Sequence, residues 1–343
     1  MTGVSFVVPV HNGEKWLNDV VRSILDQDDG RAMEIILIDD GSTDASPDMI
    51  RAWTKDPRVR VIKGEGRGAA AAVNLGFMAA AHPLIAQIDQ DVILQPGWLS
   101  SLVAELDDEA VAAVQGLYVT DKGAPLMGRL AGYELEMRYR NITGNTTDQV
   151  CTGNSLYRRA AVAAVGGLDE SLGYGYDNDL SYRLIKDGHN LVICRQAHSY
   201  HRWKQRPLEY LRQQFGLGYG RLDIIAKHRD RMFGDRVSGP GMILHVPAML
   251  LVLVAALGAV FMAGIGAAWR LPALAAALIV LVLAVERLTA AVAAARHFGD
   301  PAALFLVLLH LGRDLAWVWA LMVWSTRRML RRPSSPWHSM KRQ

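Results

Sequence analysis

Asp89 and Asp91 flank Gln90 at the end of the apolar run 84-LIAQID-89. Two residues apart on an extended backbone, their side chains project to the same side. A hard divalent cation takes one or two such carboxylates and fills its shell with phosphate oxygens, so the pair suits a nucleoside diphosphate bound with Mg2+ or Mn2+. A second acidic sequence, Asp39-Asp40-Gly41-Ser42, also closes an apolar run, where Asp and Gly suit a strand-ending turn as well as a ligand contact. The glycines of Gly64-Glu65-Gly66-Arg67-Gly68 are no dinucleotide fingerprint, which would follow the first strand and carry an acid on the next. They fit a loop that approaches a nucleotide closely. Asn74, just beyond, reads as a donor-site contact or as a helix-surface residue.

The elements that must position these residues are legible as alternation. Strand candidates at 4–10, 34–39, 59–63, 84–89 and 111–119 are separated by helix-like stretches at 13–29, 45–56, 69–81 and 97–108. Nearly continuous apolar strands alternating with helices predict an α/β fold with a parallel sheet covered on both faces. Ligands bind at the carboxyl ends of such strands. The residues there are His11 and Asn12, Asp39 and Asp40, and Asp89 and Asp91. A second block, about 126–200, is less regular. At 207–228 apolar residues recur at helical spacing after Pro207, which predicts an amphipathic helix at a membrane interface or, alternatively, one that closes the domain.

The chain of 343 residues carries 37 Lys and Arg against 34 Asp and Glu, but the balance is uneven. Residues 240–343 hold ten basic and three acidic residues, leaving 27 against 31 in residues 1–239. An acidic front part argues against nucleic acid as a partner, since phosphate contacts demand clustered Lys and Arg. Apolar stretches at about 243–268, 271–293 and 302–325 rule out a wholly soluble protein, and the first is long enough to cross about 30 Å of hydrocarbon. Glu286, Arg287, Arg313 and Asp314 fall inside the other two, where charges must pair or face protein or water. Mutual pairing across the two helices is one account; a path for a lipid phosphate headgroup is the other. Basic residues before the first stretch and in the tail place both flanks in the cytoplasm. That demands an even number of crossings, in conflict with three apolar stretches. Cys151 and Cys194 read as reduced packing thiols, and Met1-Thr2-Gly3 shows no signal peptide.

Taken in order, 7-VVPVHNGEKWL-17 with Ser23 and Gln27, 38-IDDGSTD-44, 66-GRGAAAAVNLG-76, 88-IDQDVILQPGWL-99, 152-TGNSLYRR-159 and 177-DNDLSYRLIKDGHNL-191 resemble the family 2 glycosyltransferases of the GT-A fold. The resemblance covers about residues 4–205. It implies a mostly parallel sheet with helices on both faces, followed here by a C-terminal α-helical membrane module. It also implies that Pro9, His11 and Asp39 hold the nucleoside and that Asp89 and Asp91 serve the ribose and the metal on the diphosphate. The catalytic base falls on Asp177, with Asp179 as the alternative because Tyr176 stands where the family usually has Glu. A histidine often completes the metal site, and His201 is the candidate with His198 behind it. A Q-x-x-R-W motif of processive synthases is missing around 212-RQQFGLGYGR-221, so a single sugar is expected to be transferred.

The expected organisation is a GT-A catalytic domain at 1–205, an interface helix and linker at 206–240, a transmembrane module at 241–326 and a basic cytoplasmic tail at 327–343. The expected function is an inverting hexosyltransferase that moves a sugar from a UDP- or GDP-sugar to a hydroxyl of a lipid-linked saccharide or glycolipid. Arg outnumbers Lys 29 to 8, and with the short architecture this points to a bacterial inner membrane with the catalytic domain in the cytoplasm. Alternatives are a polyprenyl-phosphate glycosyltransferase, whose acceptor is already an anion, and a non-catalytic membrane protein that binds nucleotide sugars.

Overall fold

A computed structural model of the chain describes residues 2–330; most of the expected basic tail lies outside them. The chain divides into two compact units. Among the described residues, one comprises 2–123 and Tyr139–Trp203, the other Ala124–Arg138 and 204–330.

In the first unit the apolar runs become β1 (Val4–Val10), β2 (Met33–Asp39), β3 (Val59–Lys63) and β4 (Leu84–Ile88), with α1 (Leu17–Leu25), α2 (Ser46–Trp53) and α3 (Ala69–Ala79) between them. These four strands are parallel, in the order β3-β2-β1-β4. The centres of β1, β2 and β4 are buried on both faces, as continuous Val, Ile and Leu require, while edge strand β3 exposes Arg60 and Val61. After β4 come β5 (Val92–Leu94), α4 (Trp98–Ala104) and β6 (Val111–Val119). The block that lacked a clear sequence rhythm supplies α5 (Leu126–Arg140), β7 (Thr146–Thr147), β8 (Asn154–Arg158), α6 (Arg159–Ala164), α7 (Tyr176–Lys186) and β9 (Asn190–His201). Strand β8 runs antiparallel to both β4 and β6, so β6 points the same way as β4, and β9 pairs parallel to β6. Six of the nine strands thus share a direction, and their carboxyl ends fall on one edge.

The second unit is helical. Besides part of α5 it holds α8 (Pro207–Lys227), α9 (Pro240–Gly264), α10 (Arg270–Phe298) and α11 (Leu306–Met329). Segments Gly241–Gly264, Arg270–Phe298 and Pro301–Met329 are long and apolar enough to cross a membrane. The four charges expected to pair among themselves do so only in part. Arg287 of α10 bonds Asp314 of α11, while Arg313 reaches Asp314 at 3.4 Å and also Glu134 of α5. Glu286 instead meets His245 of α9 at 2.9 Å. Glu134 was overlooked because it lies far upstream in a stretch without apparent rhythm.

Candidate active site

The acidic pair sits at the carboxyl edge of the sheet, but in a turn rather than on an extended strand. The Val92 amide donates to the Asp89 carbonyl at 3.1 Å, so the chain reverses after Ile88. Strand alternation therefore does not explain why the two carboxylates converge; the pairing of neighbouring strands does. Strand β5 runs antiparallel to β9 with Val92 opposite His201, which brings Asp91 beside the imidazole. Asp91 Oδ1 lies 3.6 Å from His201 Nε2. Ligand atoms of Asp89, Asp91 and His201 all lie within 4.8 Å of one another. Two carboxylates and an imidazole at that spacing suit a divalent cation bound to phosphate oxygens. His198 is exposed and stands outside this group.

Several residues shape the turn. Gln87 donates from Nε2 to Asp89 Oδ1 at 3.0 Å, and its Oε1 accepts from the Gly153 amide. Gly153 holds φ at +96°, and a Cβ there would collide with the Asp89 carboxylate. A glycine at the entry to β8 is therefore a requirement of close approach. Gln90, between the acids, binds the His11 backbone twice, accepting from its amide at 2.8 Å and donating to its carbonyl at 3.0 Å. On the far side, Ser23 Oγ accepts from the Leu94 amide at 3.1 Å and Gln27 Oε1 from the Leu99 amide at 3.2 Å, tying α1 to the segment that follows Asp91. The His201 ring stacks on Trp203 at 3.9 Å and meets Tyr118 edge-on at 5.3 Å.

The expected nucleoside contacts are neighbours at the ends of β1 and β2, whose register sets Pro9 opposite Ile38 and Val10 opposite Asp39. A His11 ring nitrogen lies 3.1 Å from the Asp40 carbonyl, and Asp39 accepts from the Ser42 amide at 2.9 Å. The adjacent acid has a different role. Asp40 is buried and accepts from the amides of Arg67 at 3.2 Å and Gly68 at 2.8 Å, which folds the glycine loop against β2. Asn74 spends both ends of its amide on the loop after α6, donating to the Leu168 carbonyl at 2.9 Å and accepting from the Leu168 amide at 2.8 Å.

Asp177 lies in the first turn of α7 and accepts from the Asn178 amide at 2.9 Å. Asp179 is fully buried and paired with Arg183 at 2.8 Å, and Arg183 also donates to the Gly167 carbonyl at 2.6 Å. That arrangement braces α7 against the preceding loop. The Cys151 thiol is pushed up to about 12, first by burial and then by Asp177 and Asp89. Burial, Asp89 and Asp177 likewise raise the Tyr176 hydroxyl well above its ordinary value. Burial and the same Asp89 raise Tyr118. The two acids thus act on one set of neutral, protonated groups. Cys151 had been read as a packing thiol and Tyr176 only as a missing Glu. Their nearness to Asp89 is a tertiary fact, although the adjoining Thr152-Gly153-Asn154 was a visible signal.

With this geometry in hand, the likenesses to known proteins can be weighed. Residues 5–166 match the family model described as Glycosyl transferase family 2. The Pre-mycofactocin glycosyltransferase of Mycobacterium tuberculosis is 29% identical over 248 residues, covering 69% of this chain and 50% of that protein. The Undecaprenyl-phosphate 4-deoxy-4-formamido-L-arabinose transferase of Pectobacterium carotovorum is 28% identical over 169 residues, covering 47% and 50%. The chain spans about half the length of these curated relatives. The mannosyltransferase PcManGT from Pyrobaculum calidifontis, solved with GDP-Man and Mn2+, superposes with a TM-score of 0.58 at 18% identity, covering 92% of this chain and 87% of that one. The fold is GT-A, and the likeness to glycosyl transferase family 2 is carried by residues 5–166 of the N-terminal unit.

Proposed function

We propose that the chain is an inverting, metal-dependent glycosyltransferase that moves one sugar from a UDP- or GDP-linked donor to a hydroxyl of a lipid-linked acceptor. The observation that carries this reading is the convergence of Asp89, Asp91 and His201 on one edge of the sheet, with Asp177 acting on the same Cys151 and Tyr176 as Asp89. Pro9, His11 and Asp39 hold the nucleoside. Asp89, Asp91 and His201 would hold Mg2+ or Mn2+, which when bound neutralises charge on the departing diphosphate. PcManGT, with the same fold, was solved with Mn2+ and a GDP-sugar, which supports this choice. Asp177 accepts the proton of the attacking hydroxyl as general base. A single displacement inverts the anomeric carbon.

The three apolar helices motivate the lipid-borne acceptor, and a bacterial inner membrane with a cytoplasmic catalytic unit is the setting that agrees with the basic flanks. The test is release of nucleoside diphosphate from a panel of nucleotide sugars by the full chain in detergent with crude lipid extract, with and without chelator. Release requires the cation if the reading holds; chelator-resistant release refutes the metal assignment.

A second reading is favoured by the relative named for undecaprenyl-phosphate. A phosphate acceptor arrives already ionised and needs no base. Asp177→Asn separates the two: it abolishes transfer to a hydroxyl and spares transfer to a phosphate.

A further inference from the structure

Three apolar helices and two basic flanks made contradictory demands on topology, and the packing of α11 resolves them. We infer that only α9 and α10 cross the bilayer, and that α11 lies in the interface from which α9 enters, with one apolar stripe on the lipid. This rests on the membrane reading of the helical unit and is independent of the catalytic assignment.

His245 and Glu286 are bonded, so the start of α9 and the middle of α10 share one level, and Arg287, Arg313 and Asp314 join them in one charged belt. Beyond the belt α9 runs from Val246 to Gly264 without a charge, about 28 Å at 1.5 Å per residue, and α10 from Leu271 to Val285, about 22 Å. The α9 length matches about 30 Å of hydrocarbon and α10 reaches about three quarters of it before Glu286, and Trp269 and Arg270 stand at the connection, as interface anchors do.

Helix α11 differs. It lies along α8, with Gly312 against Leu211, Gly218 against Trp317, Trp317 Nε1 3.3 Å from Gln214, and Trp324 donating to Asp223 at 2.8 Å. A Cβ at position 218 would press on Trp317 at 3.0 Å, so the two helices touch closely there. Helix α8 carries Arg212, Gln213, Arg221, Asp223 and Lys227. Were α11 to span the bilayer, it would carry these polar and charged groups into hydrocarbon. Residues 228–239, which include Arg229, Asp230, Arg231, Asp235 and Arg236, would then have to return through it to the start of α9.

The exposed side chains agree. On α9 and α10 only 11% of the most apolar stretch is buried, against 33% for the segment that contains α11. Of the large exposed apolar residues of that segment, Leu304, Leu308, Leu311, Leu315, Trp319 and Met322 recur every three or four positions and form one stripe, with Phe305 and Met329 exposed at its ends. Arg313, Val318 and Ala320 are buried. A single lipid-facing stripe, on a helix whose other face carries Arg313 and Asp314 and packs on protein, fits a helix lying in the interface. Two crossings leave both basic flanks on one side, as the positive-inside rule requires.

Full-length Ala268→Cys and Ser339→Cys variants are treated in sealed cells with a membrane-impermeant maleimide, and labelling is compared with the parent chain. Ala268→Cys labels directly and Ser339→Cys only after permeabilisation. Labelling of both in sealed cells means three crossings and overturns the inference, and labelling of neither overturns the two-helix crossing itself. As a second readout, nitroxides at Leu308→Cys, Leu315→Cys and Met322→Cys report similar shallow depths. A crossing helix spreads these sites over about 21 Å of depth, and such a gradient also overturns the inference.

Discussion

Charge is gathered in two places, on opposite terms. In the helical unit each buried carboxylate meets a guanidinium: Asp314 takes Arg287 and Arg313, and Glu134 takes Arg313 and Arg138. In the catalytic unit Asp89 and Asp91 converge on each other and on His201, and Asp89 accepts from a neutral carboxamide. The consequence is visible in the neighbours, where burial, reinforced by Asp89 and Asp177, pushes a thiol and a phenol further toward their protonated forms. Self-matched charges stabilise a fold. Gathered like charges cost stability and make a place for a cation.

The largest effect that tests this contrast comes from Asp91→Ala. Transfer falls on the order of 10³-fold, since the cation contributes several kcal/mol of charge stabilisation, while the melting temperature holds or rises because a like charge has gone. A matching loss of melting temperature would show that Asp91 is structural and erase the contrast. Asp177→Asn comes next, with a loss of about 10²–10⁴-fold for a hydroxyl acceptor and an unchanged fold by circular dichroism; unchanged transfer favours the phosphate acceptor. On the other side, Arg287→Met removes the closer of the two guanidinium partners of Asp314, leaving Arg313 at 3.4 Å. Losing one partner of a buried pair costs about 3–5 kcal/mol, read as a lower melting temperature in detergent, and Arg287→Met with Asp314→Leu recovers most of it.

The contrast also separates what was legible in the sequence from what was not. Strands β1 to β4 and β6 and the helices between the first of them were readable because apolar runs alternate with amphipathic ones. The order of motifs placed Asp39, Asp89 and Asp91 at strand ends. Strands β8 and β9 were not readable: β8 is the short, polar 154-NSLYR-158, and the pairing of β9 with β6 jumps from Cys194 to His198 opposite Gly116 and Leu117. A bulge of that kind breaks the two-residue rhythm on which strand recognition depends. The third apolar stretch could not be told from the first two, because mean hydropathy does not say whether apolar residues ring a helix or line one face.

Gln90→Ala has a smaller effect inside the site. Its two hydrogen bonds to the His11 backbone tie the Asp89–Asp91 turn to the turn after β1, each contributing about 0.5–1.5 kcal/mol. The donor KM and the cation concentration for half-activation rise together by about tenfold, with kcat at saturation nearly kept. A rise in one without the other means that the two turns are not coupled through Gln90.

The smallest effect concerns Glu34, a carboxylate of the catalytic unit that is matched in the manner of the helical unit. It lies at the start of β2, away from the ligand edge, accepting from Ser5 Oγ at 2.6 Å, the Ala81 amide at 2.7 Å and Arg60 at 2.8 Å. Burial alone would raise its pKa, but these donors outweigh burial and hold it below the ordinary value of 4.5. A depressed folded-state value means that the ionised form stabilises the fold above the unfolded pKa, and that this contribution is lost as pH falls through the folded one. Glu34→Gln therefore lowers stability by about 1–3 kcal/mol at pH 7, the range for hydrogen bonds to a charged group. The two melting curves approach each other below about pH 4.5. A deficit that stays constant into acid would assign the loss to packing instead of charge, and Glu34 would no longer count as a matched carboxylate within the unit where Asp89 and Asp91 converge.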